Sequence, residues 1–317
     1  MNHTELTAGA TLLVTGAHGF IGRHVCRHLA DNGARVCGIG HGNWPAAELT
    51  RSGLIHWVNG EIAAANLDPI AALHGPLAAV VHLAGGATVG ASISAPLEDF
   101  SRTCETTGRL LEWIRLRSPH TAVVAISSAA VYGAAHRGPI AESARTEPYS
   151  PYGVHKLIME MLCRSYAREF GIATLILRLF SVYGEGLRKQ LLWDLCSAFE
   201  TRGAATLGGS GEELRDWIHV ADAAALIRRA VPLASAQAPV LNGGTGRGTA
   251  VATIAREVAS AWGGTPAVTF SGVGRPGDPP SLIADSGNAA ALGFEPQIAL
   301  QRGLRRYVEW FRSRGAE

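Results

Sequence analysis

A glycine-rich turn near the start of the chain lies between an apolar run and a helical pattern. Thr11–Thr15 has the aliphatic and β-branched residues of a buried strand, and residues 20–32 have the spacing of a helix that ends at Gly33. The turn that joins them is Gly16-Ala17-His18-Gly19-Phe20-Ile21-Gly22. A strand, such a turn and a helix together direct backbone N–H groups toward a phosphate at the helix N-terminus. The segment therefore predicts a dinucleotide-binding βαβ unit.

The alternation of strands and helices continues through the first half of the chain. Further strands are expected at residues 35–39, 54–58, 78–83, 122–127 and 173–178, and further helices at residues 96–117 and 152–170. Short apolar strands separated by helices are typical of a parallel sheet that is covered on both faces.

Glycine and proline become frequent after about Ser181, although helices are still expected at residues 187–202, 220–230, 251–262 and 298–312. We therefore predict an α/β protein with a Rossmann-type doubly wound parallel sheet and a smaller C-terminal α/β substrate lobe. The predicted domains are residues 1–180 and residues 181–317, with some segments of the second part returning to the first domain.

Composition favours a globular enzyme over a nucleic-acid-binding chain. The 317 residues are 47% hydrophobic and 17% charged, with a formal net charge of +2. A chain of this size can bury a large core, and its charge is too small to attract nucleic acid. The five cysteines contain no C-x-x-C pair, so neither a zinc site nor a disulfide framework is expected. No apolar run reaches membrane-spanning length, so we expect a cytoplasmic protein without membrane contacts.

A tyrosine and a lysine one helical turn apart give the second strong signal. Tyr152 and Lys156 lie in the expected helix at residues 152–170, which places them on one face. Oxidation of an alcohol requires a base that takes the hydroxyl proton while hydride leaves carbon. The pKa of a phenol is ordinarily about 10, and a nearby ammonium and an oxidised nicotinamide would favour the phenolate. With the glycine turn upstream, the pair predicts alcohol–ketone chemistry.

These motifs and their order resemble the extended short-chain dehydrogenase/reductase family, and within it the nucleotide-sugar epimerases with their reductase and dehydratase relatives. The resemblance covers nearly the whole chain and includes residues 127–133, 178–184, 215–220 and 275–278. It implies that Ser128, Tyr152 and Lys156 are the catalytic residues. Ser128 would bind the reacting oxygen, and Lys156 would also hold a ribose hydroxyl. Thr103 stands where the family often has an asparagine.

The resemblance also implies the residues that contact the cofactor. These are Gly16, Gly19, Phe20, Ile21, Gly22, Gly40, His41, Asn43, Glu61, Ile62, Leu83, Ala84, Gly85, Ser127, Tyr152 and Lys156. A carboxylate that ends the second strand usually favours NAD, but Gly40 stands at that position here. His41, Asn43 or Arg51 then becomes a candidate contact for a 2′-phosphate, so the sequence leaves NAD and NADP open.

The second lobe is expected to bind a nucleotide-diphosphate sugar. The implied substrate contacts are Ser128, Ser181, Arg188, Arg215, Arg275 and Asp278. A planar guanidinium suits a diphosphate because it donates two parallel hydrogen bonds. Asp216 and His219 are expected to fix loops rather than to react.

Three functions remain compatible with these residues. The first is a nucleotide-sugar 4-epimerase, the second is an NADP-dependent 4-ketoreductase that makes a deoxysugar nucleotide, and the third is a non-catalytic dinucleotide-binding sensor or subunit. Ala129 and Ala130 stand where dehydratases of the family carry an Asp-Glu pair, so 4,6-dehydration is not expected. The helices at residues 96–117 and 152–170 are expected to form the bundle of a homodimer.

Overall fold

The structure, a computed structural model, describes residues 9–264, 266–274 and 277–314. Its strands are β1 (Thr11–Thr15), β2 (Arg35–Gly40), β3 (Leu54–Asn59), β4 (Ala79–His82), β5 (Ala122–Ser128), β6 (Pro139–Ile140), β7 (Thr174–Leu179), β8 (Ser181–Tyr183), β9 (Ala204–Leu207), β10 (Leu214–His219), β11 (Val240–Gly243), β12 (Gly248–Ala250), β13 (Ala267–Phe270) and β14 (Ser281–Ala284).

The α-helices are α1 (Phe20–Asp31), α2 (Ala46–Ser52), α3 (Ala64–His74), α4 (Val89–Ser94), α5 (Pro96–Phe100), α6 (Thr106–Arg117), α7 (Pro151–Phe170), α8 (Gln190–Arg202), α9 (Val220–Ala230), α10 (Val251–Trp262), α11 (Gly287–Ala291) and α12 (Leu300–Ser313). Among the residues described, no helix is both long enough and apolar enough to cross a bilayer.

The chain forms two compact units. The first contains residues 9–132, Arg145–Leu179 and Ala224–Leu241. The second contains Gly133–Ala144, Phe180–Ala223 and the described residues from Asn242 onward. The chain therefore enters the second unit more than once.

A seven-stranded sheet forms the centre of the first unit, in the order β11-β7-β5-β4-β1-β2-β3. The pairs β1–β2, β1–β4, β2–β3, β4–β5 and β5–β7 are all parallel. The Rossmann-type parallel sheet is thus confirmed. Because the strand order reverses between β1 and β4, the carboxyl ends of these two strands mark the place where such sheets bind ligands.

Helices α3, α6 and α7 cover one face of this sheet. Leu67, Leu110 and Met159 belong to one buried cluster with the strand residues Leu13 and Val80. Helix α7 begins one residue earlier than expected because Ser150 caps it, its hydroxyl accepting a hydrogen bond from the N–H of Gly153 at 3.2 Å. Proline at the first helical position suits this start.

The helix expected at residues 96–117 is present, but it is not α-helical throughout. A π-helical turn, Ser101–Glu105, separates α5 from α6. Hydroxyl side chains in this segment bond to carbonyls of the preceding turn: Thr107 Oγ1 donates to Thr103 O at 2.6 Å, and Thr106 donates to Arg102 O. Such bonds compete with the regular ladder and bend helices, and π-turns are frequent at functional sites.

The second unit has a smaller mixed sheet in the order β12-β10-β14-β6, with β8 pairing with β10, and a separate β9–β13 pair. Strand β10 is antiparallel to β12 and parallel to β8 and β14. Helices α8, α10 and α12 pack together, and the rings of Trp193 and Trp262 lie 5.0 and 5.9 Å from that of Phe311.

Candidate active site

The three fingerprint glycines form a tight turn between β1 and α1. Gly16 has a left-handed backbone with φ +66°, and a Cβ there would lie 2.9 Å from Ala84 N. A Cβ on Gly22 would lie 2.3 Å from Gly16 O, so any larger residue would force the turn open. The N–H of Gly19 donates to Gly16 O at 2.9 Å. Close packing explains Gly16 and Gly22.

The start of α1 fits a phosphate. Gly19 is its N-cap and has no side chain with which to cap Phe20, Ile21 or Gly22. Backbone N–H groups of a first turn that no side chain caps can bind an anionic group, and the helix dipole favours the negative charge. The pyrophosphate of a dinucleotide is such a group, and it would lie at the switch point of the sheet.

A hydrogen-bonded network supports the end of β4 beside this turn. Thr15 Oγ1 accepts bonds from the N–H groups of Leu83 and Ala84 at 3.2 and 3.1 Å. The His82 ring joins Thr15 Oγ1 at 2.8 Å to Thr107 Oγ1 at 2.9 Å. Burial, together with the charge of Lys156, lowers the pKa of His82 to about 3, so this ring is a neutral link.

The end of β2 lacks a carboxylate of its own, and a carboxylate from α2 pairs with an arginine of α1. Gly40 has φ +156°, and a Cβ there would lie 3.3 Å from Gly16 Cα. Glu48 accepts a bond from Arg23 at 2.6 Å, and Arg23 also contacts the His18 ring at 2.5 Å. Arg23 and Glu48 were not predicted, because only the fold brings α2 against the glycine turn.

The other predicted adenosine contacts lie around the same strand end. His41 Nε2 is 3.4 Å from the Glu61 carboxylate, and both side chains are exposed. Asn43 O lies 3.1 Å from His18 Nε2. Ile62 is buried, and Arg51 donates to Ala47 O at 3.2 Å.

The predicted catalytic residues come together at the carboxyl end of β5 and the start of α7. A hydrogen bond joins Ser128 to the Tyr152 hydroxyl. Lys156 is buried, its Nζ donates to Ile126 O at 2.9 Å, and this Nζ lies 6.0 Å from the centre of the Tyr152 ring. A hydroxyl, a phenol and an amine therefore lie close together at this end of the sheet.

The charge balance of this site differs from the expectation. Burial lowers the pKa of Lys156 to about 8, although Asp99 opposes this effect. Burial also raises the pKa of Tyr152 above its ordinary value; the bond from Ser128 lowers it and the charge of Asp99 raises it. In the protein alone, burial thus outweighs the groups that favour the phenolate, and the positive nicotinamide of a bound cofactor would have to supply the missing stabilisation.

Ser127 faces away from Tyr152. Its hydroxyl donates to Glu160 at 2.6 Å, and this buried glutamate also accepts two bonds from Arg178 at 2.9 and 2.7 Å. Successive residues of a strand point to opposite faces, so only Ser128 can reach the phenol. The hydroxyl of Ser127, a predicted cofactor contact, is bound inside the core, and the cofactor contact of this residue stays a prediction.

Two residues near the catalytic pair were not predicted. Asp99 of α5 and His155 of α7 form a largely buried pair with Nδ1 and Oδ2 2.6 Å apart. Thr103 also takes part in the site: its Oγ1 accepts a bond from Gly86 N at 2.8 Å. A hypothetical Cβ on Gly85 would lie 3.2 Å from Lys156 Nζ and 3.4 Å from Thr103 Oγ1, so the lysine, the threonine and the Gly85–Gly86 turn pack together.

The predicted substrate contacts of the second unit lie on two paired strands and in loops. Ser181 of β8 pairs with Trp217 of β10, two residues beyond Arg215, so Ser181 and Arg215 project from the same face. Arg188 is exposed, with its guanidinium 5.8 Å from the Trp310 ring centre. Asp278 is exposed, and Arg275 lies outside the described residues.

Asp216 and His219 fix loops, as predicted. The buried Asp216 carboxylate accepts bonds from Thr245, Gly246 and Ala284 at 2.7 to 3.2 Å. His219 is buried, and its Nε2 lies 3.0 Å from a Glu185 oxygen.

The chain is similar to proteins of a known family. Residues 12–242 match the NAD dependent epimerase/dehydratase family. A protein of Azospirillum brasilense named UDP-glucose 4-epimerase is 32% identical, over 98% of this chain and 94% of the relative. Among solved structures, MoeE5 in complex with UDP-glucuronic acid and NAD is similar with a TM-score of 0.85 at 30% identity, over 96% of this chain and all of the other.

A UDP-glucose 4-epimerase of Thermotoga maritima, solved with UDP-glucose, also has a TM-score of 0.85 at 30% identity; the match covers 97% of this chain and all of that one. The family match covers well over half of the chain, and the full-length relatives agree with it. The chain belongs to the NAD dependent epimerase/dehydratase family.

Proposed function

We propose that the protein is a UDP-hexose 4-epimerase. The observation that carries this proposal is the grouping of Ser128, Tyr152 and Lys156 in the same unit as the uncapped glycine turn. Relatives of full length support it, because their names specify 4-epimerisation of UDP-glucose or UDP-glucuronate. The inert Ala129 and Ala130, both buried, oppose a dehydratase.

Each catalytic side chain has a role that follows from its contacts. A bound nicotinamide dinucleotide supplies the acceptor and donor of hydride. Tyr152 takes the proton of the sugar 4-hydroxyl and later returns it, while Ser128 bonds the same oxygen and orients it. Lys156 favours the phenolate through its charge and holds a ribose hydroxyl. Arg215 and Ser181 contact the diphosphate, together with Arg188, Arg275 and Asp278 as further substrate contacts.

Incubation with UDP-glucose or UDP-glucuronate distinguishes the epimerase from a ketoreductase. We expect each accepted sugar to convert to its 4-epimer, followed by chromatography, with no added reductant and no net change in absorbance at 340 nm. A ketoreductase activity is less favoured. It would require a 4-keto sugar and would consume NADPH stoichiometrically. Such consumption without any epimer would contradict the proposal.

We further propose that NAD is the cofactor. The Arg23 guanidinium is already paired with the Glu48 carboxylate at 2.6 Å, so its charge is not available to a 2′-phosphate. Neighbouring structures solved with NAD agree with this choice. His41, Asn43 and Gly40 would then contact the adenosine ribose, and Glu61 and Ile62 the adenine.

ADP-ribose is expected to bind more tightly than 2′-phospho-ADP-ribose in calorimetric titrations. Glu48→Gln should reduce this preference about fivefold, roughly 1 kcal/mol, because it leaves the Arg23 charge available to the 2′-phosphate. Asp31→Asn, at an exposed carboxylate paired with Arg27 on α1, is the matched control and should leave the preference unchanged. Equal binding of the two ligands by the unaltered protein would favour NADP instead.

We also infer a homodimer formed through α5, α6 and α7. Leu97 and Met161 expose 75% and 61% of their surface on these helices, which is typical of residues that a partner copy covers. Met161→Glu should give a monomer in sedimentation at micromolar concentration. Leu73→Glu, at an equally exposed site on α3, should leave the dimer intact. A wild-type monomer at that concentration would contradict the inference.

The cytoplasm is the proposed location. All five cysteines are buried as free thiols, which suits a reducing compartment. Fractionation of the source cells, with a cytoplasmic enzyme as marker, tests this assignment; recovery with a secreted marker would contradict it.

A further inference from the structure

The buried pair Asp99–His155 lies directly beside the catalytic lysine. His155 immediately precedes Lys156, and its Nδ1–H donates to the Asp99 carboxylate at 2.6 Å. The two side chains expose only 4% and 12% of their surface, for Asp99 and His155 respectively. Burial of a carboxylate is costly without a partner, so a pair held this tightly is a built feature and not a surface contact.

The Asp99 carboxylate also packs against the turn that touches Lys156. A hypothetical Cβ on Gly86 would lie 1.8 Å from Asp99 Oδ1, and one on Gly85 would lie 3.2 Å from Lys156 Nζ. Side chains at these two positions would displace the carboxylate or crowd the amine. Glycines therefore let both charged groups approach the same short turn.

Several ionisable groups face the Lys156 amine. They are Asp99 from α5, Cys104 from the π-helical turn, Glu160 and Cys163 from α7, and His82 from β4. Burial raises the pKa of the thiols, and that of His82 is about 3, so these groups are neutral near pH 7. Glu160 is paired with Arg178 and Arg164. Asp99 also faces Lys156, but its carboxylate is bonded to the imidazole of His155 and not to a guanidinium.

We propose that Asp99 and His155 form a positioning element of the active site: Asp99 supplies the negative charge that keeps the buried Lys156 amine an ammonium, and His155 holds that carboxylate in place. The contribution of this element to catalysis rests on the proposed function, in which the Lys156 ammonium favours the Tyr152 phenolate. Asp99 supports Lys156 at some cost to the phenol, since its charge also raises the pKa of Tyr152.

The chain offers an unusually direct test because it contains only two lysines, Lys156 and Lys189. Protein grown with lysine labelled with ¹³C at the ε-carbon should therefore show two lysine signals, and Lys189→Arg assigns them. The chemical shift of each signal against pH reports the titration of that amine. Lys189 lies in the other unit and serves as an internal reference.

Asp99→Asn should move the titration midpoint of Lys156 to lower pH by about one unit, because a neighbouring negative charge is lost. His155→Ala should also move it to lower pH, because the Asp99 carboxylate is then no longer held beside Lys156. Glu98→Gln removes an exposed carboxylate from the same helix and should leave the midpoint unchanged. The Lys189 midpoint should stay constant in all variants.

An unchanged Lys156 midpoint in folded Asp99→Asn would overturn the proposal, as would a shift to higher pH. If that variant does not fold, His155→Ala decides, and a midpoint that is unchanged or higher overturns the proposal. The titrations are run with saturating NAD and without it, and neither needs a sugar substrate. A shift of Lys156 in a protein that epimerises nothing would therefore refute the proposed function and leave this inference standing.

Discussion

Replacing Tyr152 with phenylalanine is expected to lower kcat for 4-epimerisation about 10³-fold, within the range typical of a lost general acid–base group. The phenol is hydrogen-bonded to Ser128, and in the proposed mechanism it exchanges a proton with the substrate. Its ring would remain in the variant, so binding of NAD and of UDP-hexose should change less than threefold. Steady-state kinetics and calorimetry with the same preparation measure both quantities.

Tyr166→Phe is the matched control for this substitution. Tyr166 is on the same helix, and its hydroxyl donates to Glu112 at 3.2 Å. Its loss should leave kcat within about twofold of the wild-type value, because fourteen residues of helix, roughly 21 Å, separate it from Tyr152. If Tyr152→Phe kept full kcat, the phenol would not be the proton carrier. If the wild-type protein bound the dinucleotide but turned over no sugar, a sensor or subunit role would return.

Arg178→Met should destabilise the first unit by about 3–5 kcal/mol, the usual cost of breaking a buried ion pair by removing one partner. Arg178 and Glu160 expose 2% and 0% of their side chains. The guanidinium donates two bonds to Glu160 and lies 4.7 Å from the centre of the Tyr132 ring. The variant would leave the carboxylate of Glu160 buried with only the Ser127 hydroxyl and the more distant Arg164. Denaturant titration followed by circular dichroism measures the loss.

Two further variants test whether burial of the ion pair causes the loss of stability in Arg178→Met. Arg115→Met breaks a half-exposed pair with Glu112 and should cost far less stability than Arg178→Met. The double variant Glu160→Leu/Arg178→Met removes both charges and should recover most of the loss, because no charge is then stranded. A small loss in Arg178→Met, similar to that in Arg115→Met, would show that water reaches Glu160 or that the core rearranges around it.

The features that the sequence predicted correctly depend on local spacing. The glycine turn, the strand before it and the helix after it lie within about twenty residues, so chain geometry alone brings them together. Tyr152 and Lys156 share a helix face for the same reason. Ser128 could have been separated from Ser127 by the alternation of strand faces, since only one of two consecutive residues can face the site.

The features that were missed depend on contacts between distant segments. Asp99 and His155 are 56 residues apart, and neither lies in a sequence pattern that indicates its partner. Arg23 and Glu48 meet only because α2 packs beside α1. The π-helical turn arises from competition between threonine hydroxyls and the backbone ladder, which hydrophobic periodicity does not register. The raised pKa of Tyr152 reflects burial, a property of the whole fold.

The most direct test of the central claim uses UDP-glucose that carries deuterium at C4 of the sugar. The purified protein is incubated with this substrate in ordinary water, without added reductant, and the product is analysed by mass and NMR. In the proposed mechanism the C4 hydrogen leaves and returns as hydride, while Tyr152 takes and returns the hydroxyl proton. The product should therefore be UDP-galactose that keeps its deuterium at C4. A product whose deuterium has exchanged with water would contradict the account, because the C–H bond would then have been broken as a proton.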